Sequence, residues 1–460
     1  MRKNLAALLV AAAVPIAAAP PNPDLVLSSL AAQVSAPRIK ATVEKLVSFG
    51  TRHTLSSQTD PKRGIGAALG WAKGEFSALG LDVVTPSEVM TNDRAPGGVK
   101  VTDVIAIQRG TERPNDVVII SGHLDSRVSD PMNATSDAPG ANDDGSGTAA
   151  VIEAARVLSK RKFPGTIVYA VLMGEEQGLF GGKVLANYAA AQGWNVIANL
   201  NNDIIGNSCG SDELCDDKTV RVFSEGPRWQ GHEELAKAQR SLGGENDSPS
   251  RNLSRFLDGL AEQIPTIGLD VMQVWRNDRF GRGGDHTELL NAGFPAVRLT
   301  VAVEDYNQQH QDLRVEKGVT YGDTVQAMDF PYLAKVTKLN IAALAALASA
   351  PPPPEPSVEG AVSTDTTLAF RPVSGADFYQ VHWRRTDFNQ WQNTVDVPPR
   401  NAGCLKPAKP CIAVLPNIRV DDWVFGVSSV SADGFESPVA SAVPGGAYKP
   451  YVAPAPPPKP

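Results

Sequence analysis

The sequence predicts an α/β fold with a mostly parallel central sheet covered by helices on both faces, followed by a C-terminal β-sandwich. Between residues 25 and 350, continuous apolar segments alternate with helical segments that have one apolar face. This pattern is typical of parallel strands that are buried on both sides. From residue 356 to residue 443 the segments become shorter, and Asp433-Gly434 is a turn dipeptide. With 460 residues, the chain is long enough for two or three domains.

The spacing of apolar residues predicts several elements of the first domain. Helices are predicted around 68–79, 151–158 and 329–348, where apolar residues recur every three or four positions. Short apolar runs predict strands at 104–107, 117–120, 167–173, 196–198 and 296–299. In the second domain, strands are predicted at 378–383 and 424–427. Because ligands of parallel sheets bind beyond the carboxyl ends of the strands, the residues that follow each strand are the first candidates for a site.

Both ends of the chain carry segments outside these domains. Residues 1–19 combine Arg2 and Lys3 with a short apolar run and three alanines, which is typical of a secretory signal peptide. A short membrane anchor is the alternative, although the run is too short to span a bilayer. We therefore expect an exported protein, periplasmic or extracellular, without a transmembrane segment. A proline linker at 351–355 separates the α/β domain, 20–350, from the sandwich, 356–446, and a proline-rich tail follows at 447–460.

Charge and cysteine content narrow the function classes. The chain has 43 Lys and Arg against 50 Asp and Glu residues, a net charge of −7, so it lacks the basic surplus of a nucleic-acid-binding protein. Cys209 and Cys215 lie close together in the sequence, as do Cys404 and Cys411. In an exported protein two local disulfides are expected. Zinc binding by cysteine is the alternative, but no Cys-x-x-Cys spacing is present.

Histidines and carboxylates follow several of the predicted strands. His123 comes after strand 117–120, where it can bind a metal while Asp125 orients its other ring nitrogen. Glu175 and Glu176 come after strand 167–173, and neighbours in extended backbone point opposite ways, so one can bind a metal while the other acts as a base. Two histidines and three carboxylates suit two zinc ions, which can activate water. When each motif is considered alone, the alternative to metal binding is a structural role for His123 and helix capping for the adjacent acids. The other candidates at this edge are Asp143, Asp144, Asp203, Asp285 and His286.

Five motifs carry a resemblance to a known family. In order, they are GHLDS, PGANDDGSG, GEEQGLFG, NNDIIG and GGDHTELLNAGFPAV. Over residues 37–350 the chain resembles the bacterial leucine aminopeptidase family of dizinc exopeptidases. This resemblance implies two zinc ions per chain and a fold of the zinc exopeptidase, phosphorylase/hydrolase-like type. The C-terminal part resembles a fibronectin type III-like domain in its size and its Tyr/Trp strand pattern.

The resemblance also implies roles for individual residues. Many relatives have a cis peptide bond after the bridging Asp, which here would join Asp143 and Asp144. Tyr306, in the same loop as His310, is a further candidate for substrate contact. The roles implied for the motif residues are these: His123 and Asp203 bind one zinc, Glu176 and His286 bind the other, Asp143 bridges them, Glu175 is the general acid/base, Asp125 supports His123, and His310 lies near the substrate.

The expected activity is that of an aminopeptidase, which removes N-terminal residues from peptides. A carboxypeptidase of the glutamate carboxypeptidase type is one alternative, since Arg276, Arg279 and Arg282 could pair with a terminal carboxylate. A glutaminyl cyclase, which uses much the same ligands with a single metal, is another. A binding protein without catalysis is the remaining alternative, and the intact Glu175 with the full ligand set speaks against it. The α/β domain is expected to keep its chemistry without the sandwich.

Overall fold

The computed structural model describes residues 22–227, 232–398, 404 and 409–442, with the side chains of 232–236 excepted. The expected signal peptide and proline-rich tail lie outside these residues. The strands up to residue 350 are β1 (Asp82–Val84), β2 (Ser87–Met90), β3 (Val99–Thr102), β4 (Val104–Gln108), β5 (Arg113–His123), β6 (Gly165–Leu172), β7 (Asn195–Asn202), β8 (Thr219–Ser224), β9 (Asp270–Val274), β10 (Ala296–Val301), β11 (Arg314–Glu316) and β12 (Val319–Tyr321). The helices are α1 (Pro23–Ala31), α2 (Ala36–Val47), α3 (Ile65–Ala78), α4 (Gly145–Leu158), α5 (Phe180–Ala191), α6 (His232–Leu242), α7 (Pro249–Gln263), α8 (His286–Asn291) and α9 (Phe330–Ser349), with a 3₁₀ turn at Val325–Ala327.

The central sheet has the strand order β1-β4-β6-β5-β7-β10-β8-β9. Its middle strands, β6, β5, β7 and β10, run parallel to one another. Strands β4 and β8 pair antiparallel with β6 and β10, and β1 pairs antiparallel with β4. In this register His123 lies opposite Leu172, so β5 and β6 end at the same level. The carboxyl ends of four neighbouring strands therefore meet at one edge, as the apolar segments predicted.

Helices cover both faces of this sheet. On one face α2, α4, α7 and α9 enclose the larger apolar core. On the other face α5 and α8 cover a smaller core that includes Leu185 and Leu289. The middle strands are largely buried between these layers, and all eight residues of β6 are buried. The predicted α/β class is confirmed. Among the described residues no helix is long and apolar enough to cross a membrane.

The C-terminal residues form a small two-sheet sandwich. Its strands are β13 (Ser357–Glu359), β14 (Thr366–Phe370), β15 (Phe378–Arg385), β16 (Asn393–Val397), β17 (Cys411–Leu415), β18 (Trp423–Val430) and β19 (Ala440–Ala442), with a 3₁₀ turn at Val420–Asp422. One sheet has the order β13-β14-β17 and the other β16-β15-β18-β19, and all pairs are antiparallel. The rings of Phe370 and Tyr379 meet between the sheets with centroids 4.9 Å apart. Both expected disulfides, Cys209–Cys215 and Cys404–Cys411, are present.

The proline linker is packed between the two parts. Pro351 and Pro354 are buried, and the hydroxyl of Ser429 in β18 donates to the carbonyl of Pro352 at 2.7 Å. Farther along the boundary, Arg384 of β15 donates to Asp247 at 2.7 Å, and both side chains are almost fully buried. A linker of this kind does not act as a free spacer. Folding of residues 20–350 alone stays a prediction, and this buried contact speaks against it.

Candidate metal centre

The site lies where the parallel strands of the central sheet end. His123 is the last residue of β5, Glu175 and Glu176 follow β6, and Asp203 follows β7. Asp143 comes from the segment that leads into α4. All of these were expected at this edge from the sequence, and the register of the sheet explains why they meet there.

A first group of possible metal ligands consists of His123, Asp143 and Asp203, all buried. The Nε2 atom of His123 lies 3.2 Å from Asp143 Oδ1 and 3.8 Å from Asp203 Oδ1. The other ring nitrogen of His123, Nδ1, lies 3.0 Å from the backbone carbonyl of Asp125. Since a carbonyl only accepts, Nδ1 carries the proton and Nε2 is left facing the two carboxylates.

A second group consists of Asp143, Glu176 and His310. The Nε2 atom of His310 lies 2.9 Å from Asp143 Oδ2 and 3.1 Å from Glu176 Oε1. The two oxygens of Asp143 thus face two different histidines, which is the arrangement of a bridging carboxylate. The backbone of His310 has a φ of 53°, a left-handed conformation that is uncommon for residues other than glycine and is concentrated at functional sites.

His286, which was expected in this second group, lies outside both groups. Its Nε2 atom is 2.9 Å from the carbonyl of Asn277 and 3.8 Å from Asp278 Oδ2. The ring begins helix α8 and is directed at the loop that precedes it, so it braces that loop instead of facing Glu176. The position expected for His286 is therefore corrected: His310, for which only substrate contact was expected, is the histidine that faces Asp143 and Glu176, and a ligand role for it is a proposal.

The adjacent acids Asp143 and Asp144 make different contacts, and the capping interpretation applies to Asp144. Asp144 caps α4 by accepting from the N–H of Gly147 at 2.8 Å, and it also accepts from the N–H of His123 at 3.0 Å. Asp143 belongs to both ligand groups. The peptide bond between the two is cis, as expected. The carboxylate of Asp323, in the segment before α9, accepts from the N–H of Asp143 at 2.6 Å and so fixes the backbone of Asp143.

Asp125 holds the turn that carries the two glutamates. Its carboxylate accepts N–H bonds from Gly174 at 2.8 Å, Glu175 at 3.2 Å and Glu176 at 3.1 Å. The hydroxyl of Thr54 donates to the same carboxylate at 2.8 Å. Asp125 therefore fixes this turn through its side chain and His123 through its carbonyl. The supporting role expected for Asp125 is broader in the structure than the contact with His123 alone.

Burial and neighbouring charges shift the pKa values of the site strongly. Burial raises the pKa of Glu175 well above its usual range, and the charges of Glu176 and Asp203 raise it further. For His310 burial acts against the charged form, but the carboxylates of Glu176 and Asp143 outweigh it and raise the pKa to about 10. Burial likewise opposes the charge of Asp203, yet nearby Arg298 and His123 lower its pKa. A group with a raised pKa, such as Glu175, suits proton transfer near neutral pH.

The donor set fits metal ions. Among the described side chains, the buried atoms His123 Nε2 and Glu176 Oε1 have no hydrogen-bond partner, although each faces other ligand atoms. Zinc bound tetrahedrally at about 2.0–2.1 Å separates its nitrogen and oxygen ligands by about 3.3 Å. The separations of 2.9–3.8 Å within the two groups are close to this value. These residues could therefore hold one metal ion in each group, with Asp143 shared.

A cavity of about 330 Å³ opens onto both groups. Asp143, Glu175, Glu176, Asp203 and His310 line it together with four arginines. The lining arginines are Arg94, Arg127, Arg279 and Arg282. The expected substrate contact Tyr306 is 60% exposed and is not part of this lining, and neither is Arg276, whose guanidinium lies over the ring of Phe280.

Sequence reasoning missed three residues that hold the ligands. Arg127 donates to Glu176 at 2.8 Å and lies 2.6 Å from His310 Nδ1, and its place directly after GHLDS was the only available signal. Arg298, fully buried in β10, contacts Asp203 at 3.1 Å. Asp323, whose pKa burial raises to about 7, lies 180 residues from Asp143. Nothing in the local sequence marks Arg298 or Asp323 as partners of these ligands.

Comparison with known proteins agrees with this fold. An α/β sheet with a histidine and carboxylates at its carboxyl edge fits the class of metal-dependent hydrolases. The model of peptidase family M28 matches residues 103–339, and the chain belongs to this family. It is 41% identical over 436 residues to a probable zinc metalloprotease of Leptosphaeria maculans, covering 92% of this chain and 98% of that protein. A second probable zinc metalloprotease, from Pyrenophora teres, is 41% identical over 438 residues, with 92% and 88% covered.

Solved structures support the fold. The LapA aminopeptidase of Legionella pneumophila covers 76% of this chain, and 80% of its own chain is matched, with a TM-score of 0.50 and 18% identity. A further crystal structure of Legionella LapA gives a TM-score of 0.52 with 19% identity, covering 71% of this chain and 76% of that one. At this level of identity the likeness extends to the fold alone.

Proposed function

We propose that this peptidase is an exported dizinc aminopeptidase that hydrolyses the N-terminal peptide bond of peptides. The observation that carries the proposal is the pair of ligand groups that share Asp143 at the floor of one cavity, with Glu175 beside them. The zinc metalloprotease names of the fungal relatives support zinc as the metal. The predicted signal peptide and the two disulfides support export.

Each residue of the site has a task in this reaction. Zinc ions held by the two groups would polarise the scissile carbonyl and lower the pKa of the attacking water. The carboxylate of Glu175 accepts a proton from that water as its oxygen bonds to the carbonyl carbon. Glu175 then gives the proton to the leaving amine nitrogen as the C–N bond breaks. Asp125 keeps Glu175 aimed at the cavity through its bonds to the turn at 174–176.

A carboxypeptidase is the second candidate, and the arginines of the cavity favour it. Glu304 is shared by Arg221 at 2.6 Å, Arg279 at 3.2 Å and Arg282 at 3.4 Å, so one carboxylate faces three guanidinium groups. The side chain of Arg282 is 34% exposed and lines the cavity. Such an arginine can form a paired hydrogen bond with a substrate carboxylate.

Cleavage products distinguish the two candidates. Zinc-loaded full-length protein is incubated with peptides that have free or blocked ends, and the products are identified by mass spectrometry. Shortening from the amino end, abolished by N-acetylation and indifferent to C-terminal amidation, supports the aminopeptidase. Shortening from the carboxyl end, abolished by C-terminal amidation and by Arg282→Gln, would replace it with the carboxypeptidase.

A further inference from the structure

The sandwich contacts the α/β part through helix α7. Arg255 of α7 is only 2% exposed, and its Nε donates to the carbonyl of Asn389, in the loop between β15 and β16. The same guanidinium donates to Asn252 at 2.7 Å and to the carbonyl of Asn246 at 2.8 Å. The side chain of Gln390, next to Asn389, donates to the carbonyl of Arg255 at 3.1 Å. The loop at 389–390 is thus joined to α7 by both backbone and side-chain bonds.

Helix α7 also contacts strand β9 and Trp275, the residue after it. The carboxylate of Asp258 accepts from Gln390 of the sandwich at 2.6 Å and from Gln273 of β9 at 2.7 Å. The guanidinium groups of Arg251 and Arg255 lie 5.3 Å and 5.1 Å from the ring of Trp275. Such stacked arginines restrict an aromatic ring. The backbone that leaves β9 is therefore fixed by groups that also touch the sandwich.

The loop that begins at Trp275 leads directly into the cavity. We call residues 275–285, between β9 and α8, the cavity loop. Arg279 and Arg282 of this loop line the cavity. Its Asp278 accepts from Arg298 at 2.8 Å, and Arg298 also contacts the candidate ligand Asp203 at 3.1 Å. A displacement of Trp275 would therefore move side chains that line the cavity and would disturb the contact between Arg298 and the candidate ligand Asp203.

We infer that the sandwich is a brace for the cavity loop, and that Arg255 and Asp258 are positioning residues that transmit its contact. The brace lets a loop rich in charge keep a fixed conformation at the edge of the cavity. Its effect on turnover rests on the proposed function, whereas its effect on the loop does not. Arg113 offers a matched comparison, because it is also a buried arginine at the domain boundary. Its guanidinium donates to the carbonyl of Ala350 at 2.7 Å and pairs with Asp116 at 3.4 Å, and neither partner belongs to α7.

The test compares Arg255→Gln with Arg113→Gln in the full-length, zinc-loaded protein. Hydrogen–deuterium exchange is measured on peptides that cover the cavity loop, and kcat and KM are measured on a chromogenic amino-acid amide and on a peptide. Because Arg279 and Arg282 line the cavity and are not among the candidate ligands, we expect Arg255→Gln to raise KM by about tenfold with a smaller change in kcat, within the roughly 100-fold that a misplacement of about 1 Å can cost. Exchange in the cavity loop should become faster, while zinc content stays at the wild-type value. Arg113→Gln should change neither KM nor exchange in the loop.

Gln390→Ala repeats the test from the sandwich side if Arg255→Gln does not fold. It removes the bonds to Arg255 and Asp258 from a half-buried residue, and it should speed exchange of the cavity loop in the same way. Wild-type exchange in the loop for the folded variants would overturn the brace. An equal effect of Arg113→Gln would overturn it as well, since general destabilisation would then explain the result. Faster exchange without peptidase activity in the wild type would refute the proposed function and leave the brace intact.

Discussion

Replacing His310 by glutamine should remove one of two metal ions, whereas replacing His286 should remove none. His310 Nε2 lies within 3.1 Å of a carboxylate oxygen from each of its two partners, and a metal ion in that group would lose one of its three protein ligands. His286 Nε2 is instead 2.9 Å from a backbone carbonyl. The two variants are matched, since both replace a histidine of the same region with the same amide.

The size of the effect follows from the place of each histidine. Changing residues that only orient metal ligands typically lowers metal affinity by about 10–100-fold. Loss of His310, a ligand in the proposed site, should therefore lower the zinc affinity by more than about 100-fold. This corresponds to more than about 2.7 kcal/mol of binding free energy, at about 1.36 kcal/mol for each factor of ten. His286→Gln should lower the zinc affinity by less than about tenfold, because the contacts of its ring are with the loop before α8.

The assay is zinc content per chain after equilibration with a buffered zinc solution. Wild type and His286→Gln should each hold about two zinc ions, and His310→Gln about one, in line with the site proposed from the two ligand groups. Calorimetric titration of the metal-free proteins gives the two affinities separately. Loss of zinc from His286→Gln with full retention in His310→Gln would refute the assignment. Both variants must show the wild-type circular dichroism spectrum for the comparison to count.

Three further predictions concern proton transfer, the domain boundary and pH. Glu175→Gln should keep its zinc while kcat falls by about 10²–10⁴-fold, because the Glu175 carboxylate transfers protons in the proposed reaction. Glu176→Gln should bind zinc more weakly, and equal zinc loss in both variants would contradict these roles. Arg384→Met should lower the free energy of unfolding by up to about 3–5 kcal/mol, because the buried Asp247 carboxylate loses the guanidinium at 2.7 Å and keeps Arg255 at the longer distance of 3.9 Å. The added change Asp247→Asn should recover part of this loss in thermal unfolding, and an unchanged midpoint in the single variant would count against the buried pair. Zinc binding at pH 7 should release protons, because nearby carboxylates raise the pKa of His310 to about 10 and the imidazole is therefore protonated at pH 7 without metal. The zinc affinity should accordingly rise with pH up to about 10. Calorimetry in buffers of different ionisation enthalpy measures the number of protons released, and a value of zero would refute this prediction.

The residues at the ends of the parallel strands were predictable because the polypeptide itself places them together. An apolar run such as 117–120 predicts a buried strand, and parallel neighbours end at one edge of the sheet. Each of four site residues lies within four residues of such a strand end: His123, Glu175, Glu176 and Asp203. Their meeting needs no information beyond the pattern of the strands and the order of the motifs.

The choice between His286 and His310 depended on tertiary structure. His286 stands in the more familiar motif, but it begins a helix, and its ring is held by the carbonyl of Asn277. His310 lies in an irregular segment between β10 and β11, where no periodicity relates a residue to the sheet edge. Only the path of that segment back over the cavity places its ring between Asp143 and Glu176.

The sequence by itself determined the α/β class, the sheet edge that carries the site, and most of its acids, because strand and helix periods are local properties of the chain. The tertiary structure alone decided which histidine completes the second group and that Asp323 holds Asp143 across 180 residues. It also decided that the sandwich contacts α7 and the residue Asp247 before it through buried charges such as Arg255 and Arg384, whereas the proline run predicted only a linker. The reason is that contacts between distant segments depend on how loops return and how surfaces fit, and neither leaves a repeating mark in the sequence.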